Sequence, residues 1–288
     1  MKFRFVIMLL LVLVAQSGIN AQETKLKRKL NGEIAEYFYV LKEDKQVKHG
    51  LYVKYRVNIF DNKSVVEIGN FKQGVKDGDW YFFSKDGYLR HEGKYADGEK
   101  SGLWLEYYPP VNMNNNTLQR INSMFDTNEG VKLIEHNIAE IDRSSLSKAA
   151  EGEYSKGAKV GEWSYYAPGE RLMQKYDHST DSLTASLLYD DCRAFLGGCA
   201  RFYSRVNDYE VNMPEKTSKA SVKVDTKGAE GIKIELASAE GDDKFAELLL
   251  QMVKGMEEDF LSDKESTVHM VFEKNEGGAF HKFNVSLQ

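Results

Sequence analysis

Few residues of this 288-residue sequence have the types and spacings of a catalytic or metal-binding motif. The six histidines share no metal-binding spacing, and the sequence contains no H-E-x-x-H motif, no G-x-S-x-G motif and no phosphate-binding glycine loop. Asp177-His178-Ser179 has the residue types of a hydrolytic triad, but triad members meet through folding and rarely stand side by side. The acidic pairs at 190–191 and 242–243 lack the spacing of a calcium loop. We therefore expect no catalytic residue, no metal site and no cofactor, and a protein that is not an enzyme.

The two cysteines, Cys192 and Cys199, are the remaining candidates for chemistry. On an unbroken helix their seven-residue separation would span about 10 Å, which is beyond disulfide reach. Gly197 and Gly198 could supply a turn that brings the sulfurs together, and an oxidising compartment would favour the bond. Two ligands alone make a poor zinc site. A disulfide and two separate thiols both remain open from the sequence.

The first 21 residues predict export. Lys2 and Arg4 give a basic start, residues 5–15 are uncharged and mostly apolar, and small or polar residues follow up to Gln22. This order is typical of a secretory signal peptide cut after Ala21, and the apolar run is shorter than the roughly 20 residues that span a bilayer. A retained signal anchor is the alternative. Cleavage removes two positive charges and takes the formal net charge from −5 to −7, which argues against nucleic acid as a partner.

Three segments share the twelve-residue pattern G-x-[FY]-x-x-G-x-x-x-G-x-W. They span residues 69–80, 93–104 and 152–163, and all three tryptophans of the protein occupy the same place in the pattern. A weaker earlier copy has Tyr52 at the tryptophan position. The defining residues, all expected to be structural, are Gly69, Phe71, Gly74, Gly78, Trp80, Gly93, Tyr95, Gly98, Gly102, Trp104, Gly152, Tyr154, Gly157, Gly161 and Trp163.

The pattern predicts successive β-hairpins. Aromatic residues favour a pleated strand, and glycines four apart, such as Gly74 and Gly78, allow tight reversals with positive φ. Because an isolated hairpin is marginal in water, the hairpins must stack their aromatic faces into an elongated antiparallel sheet. Strand alternation puts Trp80 and Phe83 on opposite faces, so both faces should be partly covered. A solvated edge is expected for four basic residues, Lys72, Lys76, Lys94 and Lys100.

These residues resemble the MORN-like repeat, in the bacterial variant form known from antitoxin-type repeat proteins. The resemblance covers about residues 32–176 and implies the hairpin fold. It implies little about activity, because the family is named for its repeat. Some members of the wider family are proposed to bind lipids or to hold proteins together. An antitoxin role conflicts with export unless the toxin is also exported.

An insertion at 111–147 interrupts the repeats, which are expected to extend over residues 22–177. It follows Pro109-Pro110 and contains an asparagine-rich run at 112–116 that favours turns, with a further strand expected at 131–138. Long insertions in repeat proteins often project from the binding face, so this segment is a candidate contact surface, with a plain loop as the alternative. The repeat pattern ends near Asp177, and residues 178–194 are expected to be a linker.

From residue 195 to 288 the sequence predicts a small α+β domain. A helix should follow Gly197-Gly198, and alternating strands are expected at 220–225 and 231–237. Asp243 is the expected N-cap of a second helix with an apolar stripe, and strands should follow at 267–272 and 280–287. The fold class is therefore mainly β: an elongated hairpin-repeat sheet followed by a small α+β domain with one sheet face covered.

This second module is similar to the C-terminal domain of TonB-type proteins over about residues 195–273. The matching features are Gly197-Gly198 before an aromatic helix, residues 209–214 leading into the first strand, the turn at Gly228 and the helix end at 250–256. The family usually has a tryptophan and a proline just past that helix, where this chain has Glu-Glu-Asp-Phe at 257–260. The resemblance implies binding of a peptide or strand at an open sheet edge.

Together these features favour an exported binding or scaffold protein of a bacterial cell envelope, in the periplasm, at the outer membrane or outside the cell. A protein partner is expected, with no nucleic-acid partner and no stable membrane insertion after cleavage. Open sheet edges would also allow a homodimer. The alternatives are an accessory or degenerate component of TonB-dependent transport, and a secreted enzyme with an unrecognised site.

The native protein is expected to begin at Gln22, because the signal peptidase site follows Ala21. Mass spectrometry of the protein from fractionated cells measures this directly. An intact N-terminus in the inner membrane would show instead that the segment is retained as an anchor.

Overall fold

The computed structural model describes residues 22–57, 63–84, 87–110, 143, 146–188, 195–208, 218–226, 232–260, 267–274 and 280–287. The protein is mainly β, as the sequence predicts. Eleven strands form one long antiparallel sheet in chain order, and four more form a small second sheet with two helices. Among the described residues, no helix is both long and apolar enough to cross a membrane.

The long sheet is an up-and-down meander in which each strand pairs with its neighbours in the chain. Its strands are β1 (Thr24–Asn31), β2 (Ile34–Leu41), β3 (Lys48–Val57), β4 (Lys63–Lys72), β5 (Val75–Phe83), β6 (Leu89–Ala96), β7 (Glu99–Tyr107), β8 (Lys148–Ser155), β9 (Ala158–Ala167), β10 (Arg171–Asp177) and β11 (Ser182–Ser186).

Each tryptophan ring lies against the glycine that opens its own repeat. An ideal Cβ on Gly93 would stand 2.3 Å from the Trp104 ring, and the two equivalent pairs give 2.2 and 2.3 Å. No side chain fits at such a distance. The Trp104 Nε1 donates to the Lys94 carbonyl at 3.1 Å, so the buried indole is also satisfied in hydrogen bonding. The first glycine of the pattern is therefore required by packing.

The other two glycines have different tasks, which corrects the expectation that both shape the reversal. In the copy at residues 93–104, Asp97 (φ 52°) and Gly98 (φ 88°) form the tight turn between β6 and β7. Gly102 (φ 65°) lies in a bulge, because Lys94 pairs with Ser101 whereas Gly93 pairs with Trp104. The bulge brings the tryptophan over the glycine of the preceding strand.

The two sheet faces carry separate cores, as alternation predicts. On one face the ring centroids of Trp80 and Phe82 are 6.2 Å apart and the rings are stacked. The next residue, Phe83, is buried on the opposite face in a cluster with Val53 and Tyr107. Leu146, near the end of the predicted insertion, packs into this second cluster. The strand expected at 131–138 and most of the insertion lie outside the described residues.

Residues 178–194, predicted to be a linker, contain the last strand of the sheet. β11 pairs with β10 through a turn in which the Asp177 carboxylate accepts from the Ser179 and Thr180 amides at 2.8 and 3.1 Å. The hairpin was missed because it has neither the glycine nor the tryptophan of the repeat. The sheet thus extends to residue 186.

The C-terminal module has the predicted order of elements. It comprises α1 (Gly198–Asp208), β12 (Ser218–Asp225), β13 (Lys233–Glu240), α2 (Asp243–Lys254), a 3₁₀ turn (Glu257–Asp259), β14 (Thr267–Lys274) and β15 (Phe280–Leu287), and its sheet order is β13-β12-β14-β15. The N-cap of α2 is Asp242 instead of Asp243, since its carboxylate accepts from the Lys244 amide at 2.9 Å. Phe245, Leu249 and Met252 of α2 share one buried core with apolar residues of β12 and β14.

Replacing Gly93 with alanine should cost about 3 kcal/mol in the free energy of unfolding, because the new methyl group collides with a fully packed indole. Gly102→Ala, in the same repeat, is the matched control. Its Cβ would meet open space, so only the positive φ is penalised, at about 1 kcal/mol. Urea denaturation of both variants measures the difference, and equal losses would show that the contact between Gly93 and Trp104 tolerates a methyl group.

Candidate functional site

The tryptophans of the repeats are covered and do not form an open platform. Trp80, Trp104 and Trp163 are at most 2 % exposed, and each lies under a lysine that precedes it by four residues. The ammonium groups of Lys76, Lys100 and Lys159 stand 3.9, 4.4 and 4.6 Å from the indole centroids. In the weak first copy, Lys48 stands 4.4 Å from the Tyr52 ring. These are cation–π contacts that seal the aromatic face.

This arrangement corrects part of the solvated-edge expectation. Lys72 and Lys94 are exposed, as expected. Lys76 and Lys100, however, are half-buried over aromatic rings. The sequence carried a signal for this, since a lysine recurs at one position in all four copies.

The first two copies pair that lysine with a carboxylate on the neighbouring strand. Lys48 lies 3.7 Å from Glu36, and Lys76 forms an ion pair with Glu67. By cross-strand register, the corresponding positions in the last two copies are His91 and Ala150, so the carboxylate is absent there.

A second change occurs two residues after the tryptophan. Phe82 and Tyr165 are aromatic at this position, whereas the copy between them has Glu106. A carboxylate at an aromatic position of a repeat is a signal that sequence reasoning missed. Both changes fall where α1 of the C-terminal module docks on the sheet.

The docking contact is a buried ion network centred on Arg201 of α1. Its guanidinium is 1 % exposed and binds Glu106 of β7 at 2.7 Å and Asp259 of the 3₁₀ turn at 2.6 Å. The same group lies 5.0 Å from the centroid of Tyr165 on β9. Arg205 also reaches Asp259, at 3.1 Å. One arginine therefore joins the repeat sheet to two elements of the C-terminal module.

The network keeps both acids charged. Burial by itself would raise the pKa of Glu106, but Arg201 and the other nearby cations outweigh it and hold that pKa well below its usual range. The pKa of Asp259 is lowered in the same way, with burial opposed by Arg201 and Arg205. Buried charges of this kind are tolerated only when they are paired, so the network specifies one docking position.

Two further hydrogen bonds support the same junction. The Gly197 amide donates to the buried Gln174 side chain of β10 at 2.6 Å. Arg90 of β6 donates to the Ser204 hydroxyl of α1 at 2.9 Å. Polar contacts from three strands therefore orient α1.

A cleft of about 540 Å³ opens where the last hairpins meet the C-terminal module. His178 lines it, and its Nε2 lies 2.7 Å from the hydroxyl of the buried Tyr165. The Tyr176 hydroxyl donates to Asp181, and both residues also line the cleft. The residues that line the cleft are Tyr154, Gly157, Ala158, Lys159, Tyr176, His178, Asp181, Leu196, Ile232, Glu257 and Phe260.

The Asp177-His178-Ser179 run is not arranged as a triad. Asp177 caps two turn amides, and the Ser179 hydroxyl accepts from the Gly161 amide at 2.8 Å. Only His178 turns into the cleft. In the part of the chain that the structure describes, no three His, Cys, Asp or Glu side chains are grouped to hold a metal ion.

Cys199 is disulfide-bonded. Cys192, the other cysteine of the sequence, lies outside the described residues, so the pairing of these two remains a prediction.

The β13 strand forms an edge of the small sheet, with β12 as its only neighbour among the described strands. Seven of its eight side chains are exposed, and Leu236 near its centre is 40 % exposed. The β1 strand, one of the two edges of the long sheet, is different in charge, because it carries Lys25, Lys27, Arg28 and Lys29.

Comparison with known proteins gives no relative for this chain. No protein-family model matches it, and searches of curated proteins and of solved structures also find no match.

Replacing Arg201 with methionine should lower the free energy of unfolding by about 4 kcal/mol, because two buried carboxylates lose their main partner. Arg205→Met is the control. Arg205 is 19 % exposed and Asp259 would still keep Arg201, so a loss of about 1 kcal/mol is expected. Chemical denaturation at neutral pH measures both, and a small loss for Arg201→Met would show that the junction does not depend on the ion network.

Proposed function

We propose that this chain is an exported binding or scaffold protein of a bacterial cell envelope, and that it captures an extended segment of a protein partner on the edge of β13. The observation that carries the proposal is the exposure of this edge strand. An edge strand offers unpaired backbone amides and carbonyls, and addition of a partner strand satisfies them.

The side chains of β13 suit strand addition. The strand contains no proline, and its central residue Leu236 offers an exposed apolar contact. Lys233 and Glu235 pair with each other at 2.6 Å, which lowers the charge that an incoming strand would meet. By contrast, four basic residues protect the β1 edge, since charged side chains disfavour edge pairing. A partner strand should therefore prefer β13 to β1.

The resemblance of residues 195–273 to TonB-type C-terminal domains supports the same mode of binding. The resemblance of residues 32–176 to MORN-like repeats supports a scaffold role for the sheet. In this proposal the Arg201 network holds the binding module rigidly on the repeat sheet, so that a partner bound at β13 is held at a set orientation.

Placing lysine at Leu236 should reduce partner capture at least about tenfold, because a charge would face an apolar contact on the added strand. The assay is photo-crosslinking in cells from a probe residue at position 238, with partners identified by mass spectrometry. Since Leu236 is already exposed, the fold should be retained.

Leu30→Lys is the matched control, because Leu30 is 60 % exposed on β1, an edge strand of the other sheet. It should leave capture unchanged. Unchanged capture by Leu236→Lys, or equal losses in both variants, would contradict binding at β13.

A further inference from the structure

The hairpin of β10 and β11 follows the four copies of the repeat. Its backbone is arranged as in the repeat, but its residues depart from the pattern. Trp80 and Trp104 lie opposite the opening glycines of the next copies, Gly93 and Gly152. Trp163 lies opposite Tyr176 instead. The structure therefore contains a fifth repeat position that the twelve-residue pattern does not detect.

Two further positions of this hairpin are changed. His178 stands where earlier copies have a phenylalanine or tyrosine, and it packs edge-on against Trp163 at 5.9 Å, as Tyr154 does against Trp104 at 5.6 Å. Asp181 stands where earlier copies have the turn glycine, and it keeps a φ of 52°. Aspartate tolerates this left-handed conformation, so the change adds a carboxylate to the turn.

The three changed residues have a common location. Tyr176, His178 and Asp181 all line the cleft, together with residues that the C-terminal module contributes. Terminal repeats are often atypical because they cap the stack, but a cap requires polar groups toward solvent. Here the changes converge on a cavity, and they add a carboxylate and two polar ring systems to it.

We propose that this cleft binds an organic cation: an ammonium group with an apolar body. Asp181 and Glu257 supply negative charge from the two sides of the cleft, and the rings of Tyr154, Tyr176 and His178 supply the aromatic surfaces that cations prefer. The volume, about 540 Å³, is that of a small-ligand site.

Lys159 also lines the cleft but does not oppose this charge preference. Its ammonium nitrogen is buried and lies 4.6 Å from the Trp163 ring, and it interacts electrostatically with the buried Glu106 and Asp259. Its stem, with Leu196 and Phe260, forms apolar wall for the body of the ligand.

Titration calorimetry of the full mature chain tests the proposal with two cations and two controls. Choline represents a free ammonium compound, and the tripeptide Gly-Lys-Gly represents a lysine side chain of a protein. The neutral isostere 3,3-dimethylbutan-1-ol and acetate are the controls. At least one cation should bind about tenfold more tightly than the isostere, and which one binds distinguishes the two sources.

Asp181→Asn and Glu257→Gln should each weaken binding of that cation about fivefold to tenfold, since each removes one charge facing the ligand. Asparagine tolerates the positive φ of position 181, so the turn should be retained, and the melting temperature checks this. Asp79→Asn, an exposed carboxylate of β5, is the matched control and should bind like the native chain.

Equal binding of choline and its isostere, preference for acetate, absence of saturable binding, or native affinity in both cleft variants would each overturn the proposal. The test is independent of the β13 proposal, because Leu236→Lys should leave cation binding unchanged.

Discussion

The repeat sheet depends on the contact between each tryptophan ring and the glycine that opens its repeat. Because a Cβ at Gly69 would stand 2.2 Å from Trp80, the indole can lie flat on the backbone only where no side chain is present. The bulge at the third glycine makes this position reachable, and the indole nitrogen then meets a backbone carbonyl. A lysine covers the ring from outside. One local contact therefore sets the spacing of the three hairpins that carry the full pattern.

A face built this way leaves few places for another module to attach. The C-terminal module attaches where the pattern is broken, at the copy in which Glu106 replaces an aromatic residue. Its partner Arg201 brings Asp259 to the same point. A buried network of this kind adds little net stability compared with apolar packing, but it penalises every misaligned arrangement. Its main effect is to select one orientation of the module on the sheet.

Docking of the module also creates one of the two surfaces on which the functional proposals rest. The cleft exists only because the last hairpins and the residues near Phe260 face each other across a gap. The β13 edge belongs to the small sheet itself, where α2 covers a face and no described strand pairs with the free side of β13. The cleft carries the residues that depart from the regular repeat, and β13 is where the small sheet is open. A ligand can reach both surfaces.

The sequence by itself determined the hairpins and the order of the C-terminal elements, because glycine, tryptophan and apolar periodicity act over a few residues. It did not reveal β11, whose turn uses Asp177 and Asp181 in place of glycine. It also did not reveal the docking site or the cleft. Arg201 and Glu106 are 95 residues apart, and local patterns carry no information about which distant charges will meet. Only the tertiary structure could decide that pairing, because the cost of burying a charge appears only when the chain has folded around it.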